Sequence, residues 1–168
     1  MEVRILEKSI NDYISVYQEQ LAIGDIRIAY EFLIKYVMTI KSSFEKKYHE
    51  KYSCGNIGRG YLDITYFSFF DSYLRENKLR YGIVLNHEKM QFELWLLGQN
   101  AEVQKNYWNL LKTSKWNEPR TSMPKYSVLE VVLVEKPDFS NLDDLTLKII
   151  SVADAMALEI TQHIKSNL

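Results

Sequence analysis

Between Tyr61 and Gly98 the hydrophobic residues recur at every second position in three successive segments, and this period limits what the chain can fold into. The segments YLDITYFSFF (61–70), LRYGIVLN (79–86) and QFELWLLG (91–98) predict strands, separated by DSYLRENK and by a tight HEKM turn. Successive side chains of a strand point to opposite faces. Tyr81, Ile83 and Leu85 therefore share an apolar face with Phe92, Leu94 and Leu96. The reverse face takes Arg80, Gly82, Val84 and Asn86 from one strand, and Gln91, Glu93, Trp95 and Leu97 from the next. A two- or four-residue turn keeps this sorting, because the pairing then shifts by two. One face predicts core and the other is mixed. In the first strand the same alternation assigns Leu62, Ile64 and Tyr66 to the core face, and Tyr61, Asp63, Thr65 and Phe67 to the mixed one.

Helical periodicity brackets this region. Ile10, Tyr13, Ile14, Tyr17 and Leu21 recur at helical spacing, and Gly24 is a natural stop. Asp25 can cap a second helix with a stripe through Phe32, Leu33, Tyr36, Val37, Ile40 and Phe44, which predicts an antiparallel helix pair. After the strands, Gln99 to Ser114 returns to helix, and a polar loop from Lys115 to Lys125 holds two of the three prolines. Tyr126 to Lys136 predicts a fourth strand, closed by Pro137. Ser140 with Asp143 resembles a capping box opening a long last helix through Leu142, Leu145, Ile149, Val152, Ile160 and Ile164. The order ααβββαβα is that of an α+β domain with a mainly antiparallel sheet, expected to run as one domain over residues 1–168. No Pro-, Gly- or Ser-rich linker and no internal repeat interrupts it.

Composition narrows the function classes. Hydrophobic residues make up 46% of 168 residues, which excludes disorder for the bulk of the chain. Twenty-one basic against 22 acidic residues give a net charge of −1, unlike the strongly positive surface that nucleic-acid binding uses. The basic run KSSFEKKYHEK (41–51) reads as the solvated end of a helix. One cysteine, Cys54, excludes an internal disulfide and a Cys-based zinc cage. The start MEVRILEKSINDY lacks the apolar centre of a signal peptide and no run reaches transmembrane length, so the expectation is a cytoplasmic protein without a membrane partner. Twelve tyrosines suit half-buried surfaces and ligand walls. Trp108 and Trp116, beside a polar loop, suggest self-association as a symmetric dimer.

The chemistry centres on Asp63, a carboxylate inside an aromatic strand-like run. A buried lone charge costs several kcal/mol, on the order of 3–5 when a pair is broken, so it needs water, a partner or a task. On the mixed face it falls near Glu93 and Arg80, among Tyr61, Phe67 and Trp95. Two readings follow: an ion pair with Arg80 or Arg59, or the wall of a pocket where rings give contact area and charges orient a ligand. The candidate binding set is Arg59, Tyr61, Asp63, Arg80, Glu93 and Trp95, and no cofactor is implied. The reading favours a non-catalytic domain that binds a small ligand or a protein. The alternative is a diverged or inactive nuclease-like enzyme using Asp63 and Glu93 with a divalent metal. The αβββαβ layout is loosely similar to restriction-endonuclease-like folds, but Trp95 stands where their lysine would follow the second acid.

Other motifs resolve to architecture. CGNIGRG (54–60) lacks the Lys-Ser/Thr of a phosphate loop and opens a strand, so its glycines predict a shaped turn. His49, His87 and His163 have no metal-ligand spacing, and His87 at a turn is expected to be exposed. Cys54 carries no nucleophile signature.

The segments GYLDITYFSFF, FELWLLGQN leading into VQKNYWNLLK, and VLVEKPDF resemble a family of small uncharacterised bacterial proteins, a domain of unknown function in the seven-thousand series. The resemblance spans nearly the whole chain. It implies a soluble bacterial single-domain protein and carries no catalytic or binding residues with it.

Overall fold

In a computed structural model, which describes residues 7–168, the three period-two segments form the middle of a five-stranded antiparallel sheet of order β1-β2-β3-β4-β5. The first six residues of MEVRILEKSINDY, the run expected to carry no signal segment, lie outside the described residues. Ten elements follow in the expected α+β order, with two short additions. They are α1 (Ile10–Ile23), α2 (Asp25–Tyr48), β1 (Ser53–Cys54), β2 (Ile64–Phe70), α3 (Ser72–Glu76), β3 (Leu79–Asn86), β4 (Gln91–Gly98), α4 (Ala101–Leu111), β5 (Leu129–Val134) and α5 (Leu142–Asn167). The chain divides into two compact units between Tyr36 and Val37, inside α2.

In the first unit Ser9 and Asp12 close a capping box on α1, and Gly24 ends the helix in the left-handed conformation at φ 92°. That conformation is available to glycine at little steric cost. The apolar stripe of α1 does not pack as the antiparallel pair predicts. Ile10, Tyr13, Ile14 and Tyr17 are each more than half exposed, and the helix has no buried side chain.

In the second unit the hairpin faces sort as the alternation predicts. Tyr81 pairs with Leu96, Ile83 with Leu94 and Leu85 with Phe92, all essentially fully buried. Helix α5 packs on this face, where the Tyr81 hydroxyl donates to the Ala157 carbonyl at 3.2 Å. Phe44 of α2 joins Phe67, Phe69 and Tyr52 in an aromatic cluster with centroid separations of 4.7–5.9 Å. Burial of such rings dominates core energetics. Asp154 of α5 accepts from Lys51 Nζ at 2.5 Å and from the Tyr52 hydroxyl at 2.9 Å, tying the end of α2 to α5.

The first of the three long strands, β2, alternates as expected but with its two faces exchanged. Phe67 and Phe69 lie on the core face, opposite Ile83 and Tyr81, whereas Ile64 and Tyr66 pack with Val84, Trp95 and Leu97 on the mixed face. The strand begins at Ile64, not at Tyr61. Leu62, at φ 64°, turns the backbone just before it, and the register that sets Phe67 opposite Ile83 gives the two faces of β2 the reverse of the expected assignment. The last helix is capped by Asn141, whose side chain accepts from the Asp144 amide. Ser140 instead bonds Asp138.

Candidate functional site

The segment 55–60 runs along the outer edge of β2 and builds one wall of the mixed face. Gly55 N–H donates to the Ser68 carbonyl, and Gly58 exchanges both backbone hydrogen bonds with Tyr66. A Cβ on Gly58 would sit 2.5 Å from the Tyr66 ring. Gly60 has φ 68°, and a Cβ there would meet the Ile64 carbonyl oxygen at 1.9 Å. The glycines of CGNIGRG thus let this strap lie against the strand, and they cover an edge that would otherwise be open for pairing. Cys54, half-buried in β1, has its thiol pushed up to about 11 by burial, far from nucleophile behaviour at neutral pH.

Above the sheet the strap, β2, β3 and β4 enclose an open pocket of about 310 Å³. Its floor is apolar: Val84, Trp95 and Leu97 are buried, with Ile64 and Tyr66 packed against them. Tyr61 is 96% exposed and Tyr126 57% exposed, two rings at the mouth with little cover. Asp63 and Arg80 supply the charges of the lining. Of the six candidate residues, Tyr61, Asp63, Arg80 and Trp95 meet here. Arg59 is exposed on the strap outside the lining, and its carbonyl accepts from the Thr65 hydroxyl at 3.0 Å. Tyr66 and Tyr126 were missed. Ser68, the polar member of the Ile64-Tyr66-Ser68 row, is the signal that could have placed Tyr66. Tyr126 lies before the strand that its segment was expected to open, because β5 starts only at Leu129.

Glu93 lies within the sheet at 4% exposure and does not line the pocket. Both of its carboxyl oxygens act as acceptors. Oε2 takes the Trp95 indole N–H at 2.6 Å, while Oε1 takes the Gln91 amide at 2.5 Å and the Asn86 amide at 3.2 Å. Among the described residues no Lys or Arg nitrogen is within ion-pair distance of it. Three neutral donors solvate the buried acid, and one of them fixes the indole that forms the pocket floor.

Asp63 answers to a different environment. It is exposed, its Oδ1 accepts from the Tyr61 amide at 2.7 Å, and backbone hydrogen bonds from Tyr61 and Ile64 hold its carboxyl below the usual carboxylate range. The ion pair with Arg80 does not form; the carboxylate closes a turn instead. Asp63→Asn keeps an acceptor oxygen at that turn. It is expected to lower stability by less than about 1 kcal/mol in thermal melting at neutral pH. A drop of several degrees more would mean that the charge itself holds the strap. Among the described residues no three His, Cys, Asp or Glu side chains are grouped to hold a metal ion.

His87 is not the exposed turn residue expected. It is half-buried, its amide donates to the Asp63 carbonyl at 2.9 Å, and its Nε2 lies 2.8 Å from the Thr65 hydroxyl. Because that hydroxyl gives its one proton to Arg59, the geometry assigns the proton on this contact to His87 Nε2. Burial lowers the His87 pKa, and Asp63 opposes this more weakly. The unfolded chain then binds a proton that the folded one resists, so stability is full above the ordinary histidine value of about 6.5 and declines as pH falls through the lower folded value. Melting between pH 7.5 and pH 5 is expected to show a steeper loss in the parent than in His87→Gln. Parallel curves would remove His87 as the cause.

A family model described as Domain of unknown function (DUF7000) matches residues 10–164. No curated protein and no solved structure gives a match.

Proposed function

We propose that this chain, which belongs to that family of domains of unknown function, binds a small planar ligand in the mixed-face pocket and does no chemistry on it. One observation carries the reading: two largely uncovered tyrosine rings stand at the mouth of an apolar, tryptophan-floored pocket. Exposed aromatic rings beside a concave apolar floor suit a flat molecule, which regains contact on both of its faces. Asp63 and Arg80 at the edge supply one acceptor group and one donor group to orient it. The polar groups behind the pocket hold its frame: Glu93 fixes the indole, and Thr65 with His87 fixes the strap.

Titration with neutral planar probes such as indole, quinoline and adenosine tests this by NMR. The Trp95 indole N–H signal is expected to shift saturably, while those of Trp108 and Trp116 stay in place. A Tyr61→Ala, Tyr126→Ala double variant should melt like the parent and bind roughly ten-fold more weakly. No shift at Trp95 up to millimolar probe, or equal binding by the variant, would sink the proposal.

A further inference from the structure

The mixed face does not end at the pocket. Following β3 toward its start, the face opens into a second depression of about 440 Å³ lined by Ser53, Phe70, Arg75, Lys78, Arg80 and Gln99, together with Leu79. Arg80 borders both spaces. The lining holds three cations, a side-chain amide and a hydroxyl, and no carboxylate. Among the described residues none of the three cations has an ion pair or a side-chain hydrogen bond. Arg75 also borders a neighbouring depression that contains Glu50 and Asp71, but pairs with neither. Lys78 is held at φ 57°, and its carbonyl accepts from the Gln99 amide at 2.9 Å. A lysine kept in this sparsely populated conformation, rather than the glycine the turn would favour, places an ammonium group at the depression.

Three like charges around one concavity repel each other and create a field that an anion relieves. Guanidinium groups and an ammonium match the oxygens of a phosphoryl group, two of them with fork geometry. We propose that the depression takes the phosphate of the ligand whose planar ring occupies the adjoining pocket, so that the ligand is a nucleoside phosphate. This rests on the pocket reading for the ring and on the cationic depression for the phosphate. Arg80 joins the two halves.

The two halves separate in one set of titrations by calorimetry, without magnesium and at low salt, using ATP, adenosine and inorganic triphosphate as probes. ATP is expected to bind at least about ten-fold more tightly than either part. Arg75→Gln with Lys78→Asn, the asparagine tolerating the left-handed backbone, should weaken ATP and triphosphate by about ten-fold or more and leave adenosine unchanged. Trp95→Phe should weaken adenosine and leave triphosphate unchanged. If triphosphate does not bind, or binds the double variant equally, the phosphate assignment is overturned while adenosine binding keeps the pocket reading. If triphosphate binds and adenosine does not, the pocket reading falls and the depression stands as an anion site alone. A single-stranded oligonucleotide that binds more tightly than ATP would overturn the small-ligand assignment.

Discussion

Glu93→Ala is expected to lower the melting temperature by on the order of 10 °C, because it strands the buried Trp95 and Gln91 donors and deprives the half-buried Asn86 amide of its acceptor. Each buried donor left unmade costs roughly 1–3 kcal/mol, and the contacts to a carboxylate lie at the upper end. Against this stands the relief of an acid held at 4% exposure without a cation among the described residues, which by itself favours removal. The donors decide the sign, since Trp95, Gln91 and Asn86 cannot all reach water once the oxygens are gone. Glu93→Gln retains the volume and one acceptor, and should fall between parent and alanine. It turns an N–H toward one of the donors, so it is not neutral. The Trp95 indole signal should move in both variants, since its partner sets the ring of the pocket floor. A Glu93→Ala protein melting within about 2 °C of the parent would show that water reaches these donors and that the acid does not order the floor.

Gly60→Ala carries the second large effect. A methyl group would stand 1.9 Å from the Ile64 carbonyl oxygen and 2.6 Å from Asp63 Oδ1, in a residue whose φ is already 68°. A clash with backbone cannot be relieved by turning a side chain. The strap must lift or the strand start must shift, at a cost of about 3 kcal/mol, well above the ~1 kcal/mol of the conformation alone. Gly24→Ala is the control, since Gly24 has φ 92° and nothing within 4 Å of the added carbon. The difference between the two melting shifts isolates the clash. Equal shifts would mean that the strap yields freely. The proposed binding of a planar ligand should weaken in the Gly60 variant, because Gly60 and its neighbour Tyr61 both line the pocket.

Much of the frame was legible in the residues alone. The spans 79–86 and 91–98 match β3 and β4 to the residue, and Tyr81, Ile83, Leu85, Phe92, Leu94 and Leu96 form the buried face that alternation assigns. Alternation reads well here because a short turn locks the two strands, and a slip by one would expose the whole apolar set. Gly24 as a helix end and the long α5 were equally plain, each resting on local backbone chemistry. For the candidate pocket, Arg80 and Trp95 share the mixed face as alternation assigns them, whereas Tyr61 and Asp63 reach it from the turn before β2 and not by the alternation that grouped them with Thr65 and Phe67.

Tertiary structure decided the rest. The alternation of β2 held, but which parity faced the core depended on its register with β3, and residue type did not report that, since aromatic rings occupy both parities at Tyr66 and Phe67. With Phe67 opposite Ile83 and Phe69 opposite Tyr81, both go to the core and Tyr66 goes to the pocket. Glu93 could be assigned a face from its position, together with Gln91 and Trp95 two residues either side of it on the same strand, but the Asn86 amide reaches it across the β3–β4 hairpin and the exclusion of water from that face depended on the folded sheet. Likewise His87 met Thr65, 22 positions away, and Tyr126 reached the pocket from a loop. Periodicity reports which way a side chain faces because the backbone repeat is local. What it faces is set by chain segments distant in sequence, and that information enters only when the sheet closes.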